Sequence, residues 1–289
     1  MAPSLPSGSR IFKDNELLIN YRDAVIYGWE LKLIERRTEW LNDSCIHFYF
    51  TLQQEHLAKN NTISRSFLFM DPSVVSFWMH QCVDQDEIDD FCASTRFPGR
   101  GDQSDGTIFI AVNDKMSRTS SSPFSFHDNW QVSGGGNHWS LLVIQVEGGA
   151  STKKRKTTGE SSKQQTIGFW HFDSVRNSGN LRAAQDIASK FSQHVYPGAS
   201  ILTQSTEGMV QQAKTPQQEN GYDCGVHVLG AAKILSNSLL MNPSSDILTL
   251  EKSLRQEMGA NPQDFCSNLR HEISSEIRRL HDEAQENKK

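Results

Sequence analysis

Apolar residues along this chain follow two rhythms. In the middle they come as short, nearly unbroken runs, TIFIAV (107–112), HWSLLVIQV (138–146) and TIGFWHFD (166–173), each bounded by polar or glycine-containing sequence. Such runs predict buried or half-buried strands. SFLFM (66–70) predicts a shorter strand, and 200–203 one more. Elsewhere the apolar positions recur at helical spacing. WLNDSCIHFYFTLQQEHL offers Asn42 or Asp43 as N-cap and a wide face of Ile46, Phe48, Tyr49, Phe50 and Leu52. Asp71-Pro72 sets a cap and a first-turn proline before Val74, Val75, Phe77 and Trp78. Further helices are predicted around 84–92, over 181–195, over 224–240 (mostly apolar), and over 247–258 and 262–284.

Two polar stretches interrupt this pattern. Residues 113–136 are Ser-rich and end in three glycines, and 148–165 hold KKRK among Gly, Ser and Thr. Neither composition can pack a core, so both predict solvated loops, the second inserted between neighbouring strands. KKRK also suits a nuclear-import signal, though a charge run of this kind is more often plain loop. Residues 1–15 and 285–289 predict flexible ends around one domain spanning 16–284. The order of elements, helix then strands then helices, fits an α+β domain.

Composition narrows the function. The 289 residues carry 29 basic and 34 acidic side chains, a formal charge of −5, which does not suit a partner held by phosphate contacts. The five cysteines (Cys45, Cys82, Cys92, Cys224 and Cys266) are odd in number and widely spaced. That spacing points to a reducing intracellular compartment, cytoplasm or nucleus, rather than a disulfide framework or a zinc site. MAPSLPSGSR has no apolar signal core, and no run reaches the ~18 apolar residues of a membrane span. Neither a metal nor a cofactor is expected, and the chain is expected to be a monomer.

Four polar residues could do chemistry together. Cys224 lies where a loop becomes a helix, a place that stabilises a thiolate. Gly225 after it would leave room for a substrate backbone. His138 opens a strand after the glycine run, and Asp173 closes the next one, so neighbouring strands would let the two meet. Gln218, six residues ahead of Cys224, is a neutral donor for a developing oxyanion, a contribution of about 2.7–4 kcal/mol where such donors have been removed. Taken singly, each has a plainer reading: a small buried packer, a strand-end histidine, a turn aspartate and a loop glutamine. His171 reads as a packing or hydrogen-bonded residue, and His227 as helix packing.

Read together and in order, GNHWSLLV, FWHFDS and QQENGYDCG resemble the catalytic motifs of the ubiquitin-like-modifier proteases, the Ulp and sentrin-specific cysteine peptidases. WLNDSCIHFYF is similar to that family's N-terminal helix start. The resemblance covers roughly residues 16–241. It implies an α+β, papain-like core of the Ulp type, a small mixed sheet flanked by helices. It implies His138, Asp173 and Cys224 as triad and Gln218 as oxyanion donor. It also implies Trp139 as the roof of a tunnel for a modifier's Gly-Gly tail, with Trp40 and Asp43 gripping that tail. For Trp40 and Asp43 a helix cap with a buried staple remains the other reading. IFIAVND, HWSLLV and FWHFDS look more like the deneddylase branch, so the neddylation modifier is the expected partner and SUMO the alternative. Both polar loops, and the helices after Asn242, depart from the small family members.

Two rival classes stay in view. Related bacterial effectors use a similar set of residues for acyl transfer, which would make the chain an acetyltransferase; Trp139 and the WLND motif argue against it. A modifier-binding protein with a silent site would lack part of the catalytic set, and this sequence lacks none of it.

Overall fold

The computed structural model describes residues 10–60, 65–100, 105–117, 138–148, 164–176, 178–203, 208–259 and 261–287. The triple-glycine run and KKRK, with the loop and import-signal readings placed on them, lie outside these residues, as do residues 1–9.

The chain opens with a hairpin, β1 (Leu17–Tyr21) and β2 (Ala24–Tyr27), followed by α1 (Gly28–Glu35). None of these elements is predicted above. Their turn carries Arg22 at φ 57°, a left-handed position where Gly or Asn is the usual signal. The Arg22 guanidinium instead pairs with Glu55 of the next helix. The chain is also anchored earlier than residue 16. Phe12 is buried, its ring edge-on to His281 at 5.0 Å, and His281 Nδ1 bonds Leu18 O at 3.1 Å.

α2 (Asp43–Asn60) starts with Asn42 Oδ1 accepting from Cys45 N at 3.0 Å, so Asn42 is the cap. β3 (Ser66–Met70) leads into α3 (Pro72–His80), whose cap Asp71 accepts from Ser73 N. Then come α4 (Gln85–Ser94), β4 (Gly106–Asn113), β5 (Trp139–Glu147) and β6 (Thr166–Phe172). α5 (Asn180–Lys190) ends in a π turn, Phe191–Val195. β7 (Ser200–Ile201) and β8 (Val210–Ala213) precede α6 (Cys224–Met241), α7 (Ile247–Met258) and α8 (Pro262–Glu286). β8 is absent from the sequence reading because VQQA has no apolar run to announce it.

The sheet has six strands in the order β3-β4-β5-β6-β7, with β8 also on β6. It is mixed: β4, β5 and β6 run antiparallel, while β3, β7 and β8 join parallel to their neighbours. Every residue of β4 is buried, which is why it reads as one apolar run rather than an alternation. α6 packs on β5 and against α2, α7 and α8, and is apolar on nearly all sides because it runs through the core.

One buried cation holds the α3–α5 side. Lys190, at 0% exposure, donates from Nζ to the carbonyls of Trp78 and Cys82 and lies 5.0 Å over the Trp78 ring. Lys190→Met keeps the volume but leaves both carbonyls without this donor. Its expected cost is about 2–4 kcal/mol, read from urea melts. A loss under about 0.5 kcal/mol would show that the cap is dispensable.

Candidate active site

The register of the sheet explains how residues far apart in sequence meet. β5 and β6 pair antiparallel with Leu141 opposite Phe172. The start of β5 therefore lies beside the end of β6, and His138 and Asp173 occupy those two ends. His138 Nε2 donates to Asp173 Oδ1 at 2.6 Å. The Cys224 side chain acts on the same ring and, with Asp173, favours its protonated form. With Nε2 committed to the carboxylate, Nδ1 is left for the sulfur. Cys224 is the first residue of α6 and only 1% exposed. Sulfur, imidazole and carboxylate thus form one chain, in the order a thiolate–imidazolium pair requires.

Charge and burial oppose each other here. Burial alone would lower the His138 pKa; the hydrogen bonds and charges of Asp173 and Cys224 outweigh it and raise it to about 9. Burial alone would raise the Asp173 carboxyl. Donation from His138, the Ser178 hydroxyl and Val175 N holds it below its ordinary value instead.

Helix α5 supports both partners from below, a contribution the sequence reading missed. Ser178, just before the helix, donates to Asp173 Oδ2. Asn180, fully buried, donates from Nδ2 to His138 O at 3.2 Å, Val112 O at 3.1 Å and Ser140 Oγ at 3.0 Å. Ser140 also shares a 2.8 Å hydrogen bond with His171 Nε2, the hydrogen-bonded role expected for that histidine. Burial pushes His171 down to about 4, so it stays neutral. Nothing in SGNLRAA separates Asn180 from an ordinary helix-start asparagine.

Gln218 stands beside the same corner. Its Oε1 accepts from Ser174 Oγ at 2.8 Å, and its N donates to Ser174 O at 3.0 Å. One amide hydrogen goes to Asn220 O at 2.6 Å, which leaves the second for another acceptor. His227, one turn into α6, is buried, and burial lowers it to about 4.

Trp139 is buried, and its indole N–H donates to Leu41 O at 3.1 Å, tying it to the WLND segment. Within that segment Leu41 is buried and Asn42 caps α2, while Trp40, 42% exposed, and Asp43 face solvent. The buried-staple reading of Trp40 therefore does not hold. Gly225 also departs from expectation. A Cβ there would lie 3.0 Å from Leu41 Cβ, so the glycine lets α6 press on the WLND segment and does not open space for a substrate.

Comparison with known proteins identifies the family. Residues 39–261 match the model of the Ulp1 protease family, C-terminal catalytic domain. The chain is 30% identical over 218 residues to the probable sentrin-specific protease 8 of Dictyostelium discoideum, covering 74% of this chain and 72% of that one. It is 26% identical over 271 residues to NEDD8-specific protease 1 of Arabidopsis thaliana, covering 94% and 96%. Among solved structures, the C-terminal Ulp1 protease domain in complex with Smt3, the yeast ortholog of SUMO, aligns with TM-score 0.51 at 16% identity, over 93% of this chain and 89% of that one. At such identity the likeness speaks for the fold alone.

Proposed function

The chain belongs to the Ulp1 protease family and is a cysteine peptidase, and from that premise we propose that it cleaves the bond after the C-terminal Gly-Gly of a ubiquitin-like modifier, by preference the neddylation modifier. The observation that carries the reading is the His138 ring, bonded to Asp173 at 2.6 Å and coupled to Cys224.

The chemistry follows from the order of the groups. Cys224, as thiolate beside protonated His138, attacks the terminal glycyl carbonyl. The amide hydrogen left on Gln218 and the Cys224 backbone N–H steady the oxyanion. His138 protonates the departing amine, and the acyl group is left on Sγ as a thioester. His138 then takes a proton from water, which attacks the thioester and returns the thiol. Closure of the site supports the choice of substrate. Cys224 is 1% exposed and Trp139 7% exposed, a closed setting that suits a thin, side-chain-free tail. Exposed Trp40 and Asp43 stand ready to hold the residues before that tail.

The name borne by the Arabidopsis relative, NEDD8-specific protease 1, favours the neddylation modifier, and the deneddylase-like motifs IFIAVND and FWHFDS point the same way, while the sentrin in the Dictyostelium relative's name keeps SUMO as the alternative. Activated C-terminal probes of the neddylation modifier, SUMO and ubiquitin, offered in parallel, test this. The neddylation probe is expected to label Cys224 at least about tenfold faster than the others. Faster SUMO labelling would reassign the partner, and no adduct with any probe would refute the peptidase site.

The Ser178→Ala change tests the support under the carboxylate. It removes one donor that holds Asp173 down, so the Asp173 pKa rises. The expected result is a fall of about 3–10-fold in kcat/KM, with the acid limb of the pH profile moved upward. An unchanged profile would assign Ser178 to turn structure only.

A further inference from the structure

Arg270 of α8 lies beyond the family match, which ends at residue 261. It is 3% exposed, and its guanidinium reaches two separate segments. Toward the nucleophile, Nε and Nη2 both donate to Asp223 Oδ1, at 3.2 and 2.9 Å, and Asp223 is the residue immediately before Cys224. Toward the N-terminal segment, Nη1 donates to Leu33 O at 3.0 Å, Arg36 O at 3.3 Å and Ile34 O at 3.4 Å, and Nη2 to Glu39 O at 2.8 Å. Glu39 is the residue immediately before Trp40.

The other groups at this junction are tied in as well. Asn220 Nδ2 donates to Asp223 Oδ2 at 2.8 Å, so both carboxylate oxygens are engaged. Glu30, 2% exposed, accepts from Asn42 Nδ2 at 3.2 Å and from Tyr27 N at 2.8 Å, which fixes the cap of α2. On the far side, Leu41 meets Gly225 and receives the Trp139 indole. The WLND segment is thus clamped to the Cys224 loop from two directions, and one of the clamps is a single side chain.

We propose that Arg270 is a positioning residue that sets the distance between the tail-gripping segment Trp40–Asp43 and the nucleophile Cys224, and so the register in which a modifier tail meets the sulfur. The proposal rests on the peptidase reading above. A guanidinium suits this task because its five donors spread in a rigid plane and can serve a carboxylate and a row of carbonyls together. An ammonium at the same place keeps the charge beside Asp223 but cannot span both segments. Loss of register matters because a misplacement of about 1 Å can cost roughly 10²-fold in rate.

The test is Arg270→Lys in the full chain, at a temperature where circular dichroism shows it folded. Two rates are compared with wild type: kcat/KM on the modifier precursor that wild type cleaves best, and alkylation of Cys224 by iodoacetamide, followed by mass spectrometry. Alkylation needs no modifier, so it reports on the nucleophile alone. The expected result is a loss of about tenfold or more in kcat/KM with alkylation within about twofold of wild type. Cleavage within twofold overturns the proposal. So does a parallel fall of both rates, which would make Arg270 a general support of the Cys224 loop. If Arg270→Lys does not fold, the neutral pair Arg270→Gln with Asp223→Asn is read by the same two rates. Failure of wild type to cleave any precursor sinks the peptidase reading and this proposal with it, whereas active wild type with an unaffected variant sinks the proposal alone.

Discussion

Replacement of Cys224 by alanine is expected to lower kcat/KM for modifier cleavage by at least about 10⁴-fold while leaving the modifier bound. The site has no second thiol to substitute. Burial, with the Glu30 charge in second place, pushes the Cys45 thiol far up, and burial pushes Cys266 up to about 12, so neither supplies a thiolate near neutral pH. Binding survives because the surfaces assigned to the tail, Trp139, Trp40 and Asp43, do not involve the sulfur. The fold survives because the change removes one atom from the first turn of a helix held on all sides by apolar packing, at a cost of about 1 kcal/mol. Gel-resolved processing of a modifier precursor gives the rate, and calorimetric titration with the mature modifier gives the affinity. Residual cleavage within about tenfold of wild type would remove Cys224 from the mechanism. Loss of both cleavage and binding would show that the thiol also holds the tail site together.

Some of this molecule can be read from its residues, and the reason differs from part to part. The central strands show as apolar runs because β4, β5 and β6 are buried on both faces. His138 and Asp173 could be paired on paper because an antiparallel neighbour brings a strand's start beside the next strand's end, and the motifs around them are distinctive. The N-terminal hairpin stayed hidden because its turn uses Arg22 where a glycine or asparagine would have signalled it, and Glu55, far along the chain, stabilises that turn. Gly225 was misread because a glycine beside a nucleophile can serve substrate or packing equally well, and only the position of Leu41 separates the two. Arg270 and Asn180 could not be found at all by spacing. Most of their hydrogen bonds go to backbone carbonyls, among them those of Leu33, Glu39, Val112 and His138, and a carbonyl leaves no mark in a sequence.

The Asp173→Asn variant separates the charge of this site from its shape. Asparagine can still accept from His138 Nε2, so the ring keeps its orientation while the charge behind it is gone. Burial, which on its own lowers the His138 pKa, then faces less opposition, and the value falls from about 9 toward or below its ordinary 6.5. At pH 7.5 most of the imidazolium, and with it the thiolate partner, is lost. The expected drop in kcat/KM at that pH is about 10²–10⁴-fold. The basic limb of the profile, set in wild type by deprotonation of His138 near 9, should move down by more than one pH unit. Stability gives an independent reading with a definite sign. In wild type His138 has a folded pKa above its unfolded one. Its contribution is therefore fully present below about 6.5 and is lost as pH rises through about 9. In Asp173→Asn that decline between pH 6.5 and 9 should largely vanish from the melting temperatures. Asp173 acts in the opposite sense: its lowered pKa stabilises the wild type above its ordinary carboxylate value, and this is lost as pH falls through the folded one. If the variant keeps its basic limb near 9, the carboxylate is not what holds the proton on His138, and the pairing at 2.6 Å is structural rather than part of the chemistry.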